Sequence, residues 1–152
     1  MDVKIINPFI NATVKVLETM AFVKSTAGKV YLKKDFIARG DISGIIGITG
    51  EQNGTISVTF NENCILKIVS NMLGEKVESI NKDVQDAVGE LTNMISGQAR
   101  VGLEEMGKIF QAAIPTVVTG KNHTIFGIAN GPKFAIPFTT EEGHFTIEVC
   151  FE

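Results

Sequence analysis

Hydrophobic and polar positions alternate most regularly along residues 81–107. Plotted as a helix at about 100° per residue, this segment places its apolar residues on one line and a set of mostly polar residues nearly opposite. The pattern predicts one long central helix with a buried face and a solvent-exposed face. The buried line comprises Val84, Val88, Leu91, Ile95, Ala99, Gly102 and Met106. The exposed line comprises Asp86, Glu90, Asn93, Gly97, Arg100 and Glu104.

The N-terminal segment predicts another helix with its own buried face. Asn7 followed by Pro8 is typical of an N-cap with proline in the first helical position. The helical pattern continues to about Phe22. We expect its buried face to consist of Ile10, Val14, Leu17 and Ala21.

Strand signals follow at residues 30–32, 42–49 and 55–60. Asn53 and Gly54 favour a tight hairpin between the last two of these segments. In the second arm of that hairpin apolar and polar residues alternate, which predicts one buried face and one solvent-exposed face. The alternating residues are Ile56, Val58 and Phe60 on one side and Thr55, Ser57 and Thr59 on the other.

A short helix should come next, from Glu62 to Leu73, because Asn61 supplies a cap and Gly74 a stop. The long central helix follows it, with Asn81 as the expected cap. Beyond Gly107 the strand signals return at residues 116–119, 124–128 and 134–138.

The last strand follows a turn at residues 140–143 and alternates cleanly through Phe145, Ile147, Val149 and Phe151. Pro137 lacks a backbone donor, so its strand is expected to meet a sheet edge or a bulge there.

Residues 46–60 and 136–151 share a pattern of strand, acidic turn with glycine, and alternating strand. Each hairpin follows a helix, which predicts two related halves that share one sheet system. The fold class expected is therefore mixed α/β, of the α+β type, with two repeated helix-plus-antiparallel-strand halves and a long central helix. We interpret residues 1–152 as a single domain, a size that allows a substantial core.

Composition narrows the function classes. The net charge of −3 and the lack of a Lys/Arg cluster with interleaved aromatic residues argue against nucleic-acid binding. We find no apolar run long enough for a membrane span and no export leader, so we expect a cytoplasmic protein. Cys64 and Cys150 are expected to be small core residues. His123 and His144 have no metal-ligand spacing and are interpreted as turn residues.

The exposed line of the central helix carries the best candidate chemistry. Glu90 and Asn93 are three residues apart, so they lie side by side on one helical face. Gly89 and Gly97 flank the pair and leave the backbone bare, so another surface can approach closely. A polar stripe alone is also typical of any surface helix. The spacing by itself therefore does not decide between a functional site and an ordinary solvent-exposed face.

The spacing of Asp86, Glu90 and Asn93 on a long helix, with Pro115 some twenty residues later, resembles the motif of the CheC/CheX/FliY family of phosphatases. Members of that family act on phosphorylated CheY, the response regulator of bacterial chemotaxis. The chain length and the single motif copy favour the CheX branch, since CheC-type members typically repeat the motif on the first helix. Here the first helix carries Asn7 and Asn11 without a Glu/Asn pair. The resemblance implies a CheC-like fold, in agreement with the repeat.

For the site, the resemblance implies that Asn93 orients the attacking water and that Glu90 docks to the active-site lysine of the regulator. A neutral amide suits the first task, because it both accepts and donates hydrogen bonds and is not repelled by a phosphoryl group. Asp86, Gly97 and Arg100 are expected to support docking. We expect no metal site and no cofactor in this chain, since the phosphorylated receiver supplies its own Mg²⁺.

Two alternatives remain open from the sequence. The chain is either a phosphatase or a non-catalytic protein, and in the second case it is a module that binds receiver domains or a flagellar-switch-associated dimer. A purely structural dimer with a polar helix face is a third reading. The family resemblance also implies a homodimer formed through strands, and we expect residues 134–138 to supply an exposed edge for it.

Overall fold

The computed structural model describes residues 3–125 and 131–152. A 3₁₀ turn at Val3–Ile5 leads into three helices, α1 (Ile6–Ala21), α2 (Glu62–Leu73) and α3 (Lys82–Glu105). The strands, in chain order, are β1 (Thr26–Ala27), β2 (Tyr31–Lys33), β3 (Ile42–Gly50), β4 (Gly54–Phe60), β5 (Phe110–Ala112), β6 (Thr116–Thr119), β7 (Lys133–Thr140) and β8 (Gly143–Phe151). The predicted strand at residues 124–128 lies largely outside the described residues.

One antiparallel sheet contains these strands in the order β1-β7-β8-β4-β3-β5, with β2 also paired to β7 and β6 also paired to β3. The order is symmetric about the contact between β8 and β4. Each half supplies a hairpin to the centre of the sheet, and its two short strands pair with the hairpin of the other half. The two predicted halves are therefore confirmed, and the short strands interlock them.

The core lies between the helices and the inward-facing residues of the central strands. On β4 these are the predicted Ile56, Val58 and Phe60, and on β8 they are Phe145, Ile147, Val149 and Phe151. Ring contacts such as the stacked pair Phe138 and Phe145, with centroids 4.8 Å apart, join the strands on this face. Cys64 and Cys150 are both buried free thiols, as predicted, and burial raises the pKa of each.

The opposite face of β4 was predicted to be solvent-exposed, and this prediction is wrong. Thr55, Ser57 and Thr59 are all buried. Segments distant in the chain cover them: Phe36 and Ile125 line a small gap with Thr55 and Ser57.

A buried ion pair and a hydrogen-bond chain stabilise this covered face. Lys33 of β2 pairs with Glu148 of β8 at 3.0 Å. The Nδ1 of His123 donates to the carbonyl oxygen of Gly120 at 2.6 Å, since that oxygen can only accept, and its Nε2 lies 2.6 Å from the hydroxyl of Ser43. Both histidines were predicted to be turn residues, but His123 comes directly after the turn at residues 121–122 and His144 lies in β8.

Local signals placed α2 correctly. Asn61 caps it by accepting from the backbone N–H of Cys64 at 2.9 Å, and Gly74 ends it in the left-handed conformation at φ 70°. The cap predicted for α1 is wrong, because the preceding 3₁₀ turn starts the helix at Ile6 and leaves Asn7 exposed within it.

The buried face of α1 is rotated relative to the prediction. Leu17 and Ala21 are buried as expected, but Ile10 and Val14 are only half-buried. Their places in the core are taken by Ile6, Phe9, Ala12, Thr13 and Val16.

The hairpin between β3 and β4 forms as predicted but is wider than a two-residue turn. Gly54 opens β4 and pairs with Ile48, so it lies in the strand and not at the tip of the turn. At Pro137 the predicted bulge is confirmed. Ala27 pairs with Phe138 while Tyr31 pairs with Ala135, so one extra residue lies between β1 and β2 opposite the proline.

The edge predicted at residues 134–138 is not free. β7 is paired with β8 on one side and with β1 and β2 on the other. Two very short strands, which carry little sequence signal, therefore hide this edge.

Candidate active site

The helix that carries the candidate residues is α3, which runs for 24 residues. Asn81 caps it as predicted by accepting from the backbone N–H of Val84 at 3.0 Å. The predicted buried face is confirmed for Val84, Val88, Leu91, Ile95 and Ala99. Gly102 is half-buried against Pro8 of α1, and Met106 is exposed because the helix ends before it.

α3 is fixed in place by an unusually close approach to β3. A Cβ added at Gly44 would overlap the side chain of Thr92 and lie 3.3 Å from Cγ1 of Val88. The hydroxyl of Thr92 is buried and donates to the carbonyl oxygen of Val88 at 2.7 Å. The absence of a side chain at Gly44 thus lets the middle of α3 rest directly on the sheet. The sequence did not predict this contact, because Gly44 and Thr92 are far apart in the chain and each looks ordinary by itself.

Glu90 and Asn93 are both exposed on the opposite face of that same helical segment. Their spacing puts the two Cβ atoms about 5–6 Å apart, with both side chains directed outward. The adjacent Gly89 packs toward the sheet edge, since a Cβ there would lie 3.6 Å from Cγ2 of Val117 in β6. Asn93, one helical turn after Gly89, therefore lies on the flank of α3 that faces β6.

Gly97 and Arg100 continue this exposed line beyond Asn93. Nη2 of Arg100 lies 3.8 Å from the position that a Cβ of Gly97 would occupy. Since helical side chains lean toward the N-terminus, the guanidinium extends back along the helix in the direction of Asn93. The Nε of Arg100 is buried and has no hydrogen-bond partner within the described residues.

Asp86 lies one turn before Glu90 on the same line. It forms an ion pair with Lys82 at 2.9 Å, and both side chains are largely exposed. An exposed pair of this kind contributes only about 0.3–0.5 kcal/mol to stability. The structure therefore places all five predicted residues along one stripe of α3, where Asp86, Glu90 and Asn93 are exposed and Gly97 and Arg100 are half-buried. Asp86 already has a partner on its own helix.

Neither a metal centre nor a membrane helix is present in the part of the chain that the structure describes. No group of three or more His, Cys, Asp or Glu side chains is arranged to hold an ion in residues 3–125 and 131–152. Over the same residues no helix is both long enough and apolar enough to cross a bilayer.

Comparison with known proteins decides the family. The sequence model of the family "Chemotaxis phosphatase CheX" matches residues 42–139, a range that includes all of α3. This chain belongs to the CheX family. The CheY-P phosphatase CheX of Thermotoga maritima is 30% identical to it over 143 residues, which cover 93% of this chain and 92% of that protein.

Solved structures extend the likeness from sequence to fold. A CheX chemotaxis protein from Desulfovibrio desulfuricans is 50% identical, with a TM-score of 0.92 over 99% of this chain and 100% of the other. A CheC-like superfamily protein from Shewanella sp. PV-4 is 49% identical, with a TM-score of 0.93 over 100% and 99%. The α+β class and the CheC-like fold expected from the sequence are thereby confirmed.

Proposed function

We propose that this chain is a phosphatase that accelerates hydrolysis of the aspartyl phosphate on a CheY-type response regulator in chemotaxis signalling. The observation that supports it most is the exposed Glu90/Asn93 pair on a helix held tightly against the sheet, in a chain of the CheX family. The Thermotoga relative, whose name describes this activity, is similar over nearly its whole length.

Asn93 is the residue proposed to act on the reacting atoms. Its carbonyl oxygen accepts a hydrogen bond from a water molecule, and its amide N–H₂ donates to a phosphoryl oxygen. The water is then held in line with the bond between phosphorus and the aspartyl oxygen. Its oxygen attacks phosphorus, that bond breaks, and the proton passes to the departing phosphate. Positioning of this kind can supply several kcal/mol of the barrier.

Glu90 is proposed to pair with the active-site lysine of the receiver domain. A carboxylate next to the phosphoryl group would be repelled, so its role is to dock the helix and thereby fix Asn93. Glu90 is exposed and lies nearly one helical turn before Asn93, which suits a contact that forms only in the complex.

Asp86, Gly97 and Arg100 are proposed to support docking. Gly97 leaves the backbone open to a close approach beside Asn93. The guanidinium of Arg100 lies near Gly97 and supplies a positive charge that favours the phosphoryl anion. Asp86, already paired with Lys82, can shift to the receiver surface at little cost because its present ion pair is exposed.

The chemistry proposed needs no metal or cofactor from this chain. In a phosphorylated receiver domain, Mg²⁺ and a lysine already neutralise charge on the group that is transferred. This chain therefore contributes a positioned amide and a docking carboxylate, and we propose the cytoplasm as the compartment where it meets its substrate.

We also propose a homodimer that leaves the Glu90/Asn93 face outside the contact, since each copy must admit a receiver domain. With β7 covered, the sheet edge at β2 is the better candidate surface. Tyr31 and Leu32 on that strand are 48% and 51% exposed, and β2 has no second strand neighbour among the described residues. Light scattering at micromolar concentration should give the mass of a dimer, and a monomer would contradict this part.

The function is tested by phosphate release from receiver domains of the same genome, charged with acetyl phosphate, with and without this protein. We expect release to be faster in its presence for at least one receiver. If no receiver is accelerated but one or more bind, the chain is a docking module and the phosphatase assignment is wrong. If none binds, both readings fail.

A further inference from the structure

The connection between β5 and β6 carries the most exposed large apolar side chain of the described residues. Ile114 is 88% exposed, and it follows Ala113, which is also exposed, and precedes the half-buried Pro115. Isolated apolar side chains on a surface are common, so exposure alone assigns nothing to Ile114. Its position relative to α3 is what gives it a role.

Strand pairing sets the level of Ile114 along the sheet relative to α3. At one level of the sheet, Val117 of β6 pairs with Gly44 and lies against Gly89 of α3. At another level, Phe110 of β5 pairs with Gly50, shortly after α3 has ended.

Ile114 comes three residues before Val117 and thus roughly 10 Å further along the sheet, in the direction of the C-terminus of α3. Asn93 and Gly97 come about 6 Å and 12 Å beyond Gly89 along the helix in that same direction. Because Asn93 lies on the flank that faces β6, this register puts Ile114 at a level between Asn93 and Gly97 on the same side of α3.

Backbone pairing ties the connection to β3. The backbone N–H of Ala113 donates to the carbonyl oxygen of Gly47 at 2.9 Å, and Thr116 pairs with Ile45, so both ends are attached to β3. Pro115 restricts the backbone between them. An apolar side chain held in this way loses little conformational freedom on binding, which favours affinity.

The chemistry of the surroundings indicates what binds there. Residues 109–120 contain no charged side chain and no histidine, although charged residues occur on both sides of that segment. A receiver domain that presents its acyl phosphate to Asn93 brings the neighbouring part of its surface against this uncharged segment. The part of the receiver that fits the segment would be apolar, and contact between the two would keep bulk water away from the site.

We propose that Ile114 is an apolar anchor that holds the phosphorylated receiver domain against α3 next to Asn93. This inference rests on the proposed function for the identity of the partner. It adds a contact outside the Asp86–Arg100 stripe that sets affinity for the receiver and takes no part in the hydrolysis step.

The test uses Ile114→Asp and Ile114→Ala, with Ile114→Val as the conservative variant. Ile109→Asp is the matched control, because Ile109 is 64% exposed in the same uncharged segment but lies past the end of α3, roughly 18 Å along the helix from Asn93. Binding to a receiver domain activated with beryllofluoride is measured beside KM and kcat for the phosphorylated receiver. All the variants should unfold at the temperature of the unchanged protein.

We expect Ile114→Asp to weaken binding and raise KM by about 10-fold or more, Ile114→Ala by less, and Ile114→Val hardly at all, with kcat unchanged throughout. The Ile109→Asp control should leave all three quantities unchanged. Unaltered binding in Ile114→Asp, or a loss in kcat alone, overturns the anchor. A change of oligomeric mass in Ile114→Asp also overturns it, since the residue then lies between two copies of this chain. The binding arm remains informative if the unchanged protein shows no turnover, because that result contradicts only the proposed hydrolysis.

Discussion

The two helices α1 and α3 share a packing pattern but differ on their exposed faces. Residues with the same spacing are buried in both: Ile6, Phe9, Thr13, Leu17 and Ala21 in α1, and Val88, Leu91, Ile95, Ala99 and Leu103 in α3. In this alignment Asn11 corresponds to Asn93, and both are exposed.

The first helix, α1, has no counterpart of Glu90 or of Gly97. Pro8 stands where α3 has Glu90, and Lys15 stands where α3 has Gly97. An equivalent scaffold and even an equivalent amide are thus present twice, while the acid–amide pair with open backbone is present once. The fold thus positions two helices alike, and in the proposed mechanism a few exposed residues decide which of them acts on a phosphoryl group.

The largest effect is expected from Asn93→Asp. The change is nearly isosteric, but it places a negative charge next to the phosphoryl group and removes the amide donor. We expect kcat to fall by about 100-fold or more, because the water is no longer held in line and the anion is repelled. A stopped-flow assay of receiver dephosphorylation measures it, and a variant with more than half of the original kcat would contradict the role of Asn93.

A large effect on stability is expected where α3 rests on the sheet. Gly44→Ala should lower the free energy of unfolding by about 1–3 kcal/mol, since the added methyl group overlaps Thr92. Gly47→Ala, in the same strand, meets nothing within 4 Å and should change stability by less than about 1 kcal/mol. Urea denaturation compares the two variants. Equal destabilisation would show that the close contact between Gly44 and α3 does not account for the loss of stability.

A smaller effect is expected from Glu90→Ala. Loss of the carboxylate leaves the receiver lysine without its partner at the contact, so binding should weaken by about 10-fold and the rate at low receiver concentration should fall with it. Glu90→Gln keeps the shape but removes the charge, and it should resemble the alanine variant. Titration of an activated receiver by calorimetry measures both affinities. If glutamine restores full affinity, shape and not charge accounts for docking.

Elements with complete local signals could be predicted from the sequence. α2 has its cap at Asn61 and its stop at Gly74, and α3 has its cap at Asn81 and a long periodic face, so both were placed nearly to the residue. The exposure of Glu90 and Asn93 followed from the same periodicity.

The features that were missed depend on residues far apart in the chain. The covered face of β4 requires Phe36 and Ile125 to fold over it, and the loss of a free edge on β7 requires β1 and β2, which are too short to leave a pattern. The seat of α3 on Gly44 and the position of Ile114 are likewise set by tertiary contacts, which a local pattern does not contain.

The central claim is that the amide of Asn93, and not the scaffold that both helices share, accelerates hydrolysis. The most direct measurement is the single-turnover decay of a phosphorylated receiver at saturating concentrations of the unchanged protein, of Asn93→Ala and of Asn11→Ala. We predict that the unchanged protein and Asn11→Ala accelerate the decay equally, while Asn93→Ala binds the receiver and leaves its decay at the intrinsic rate. Accelerated decay with Asn93→Ala, or its loss with Asn11→Ala, would contradict this account.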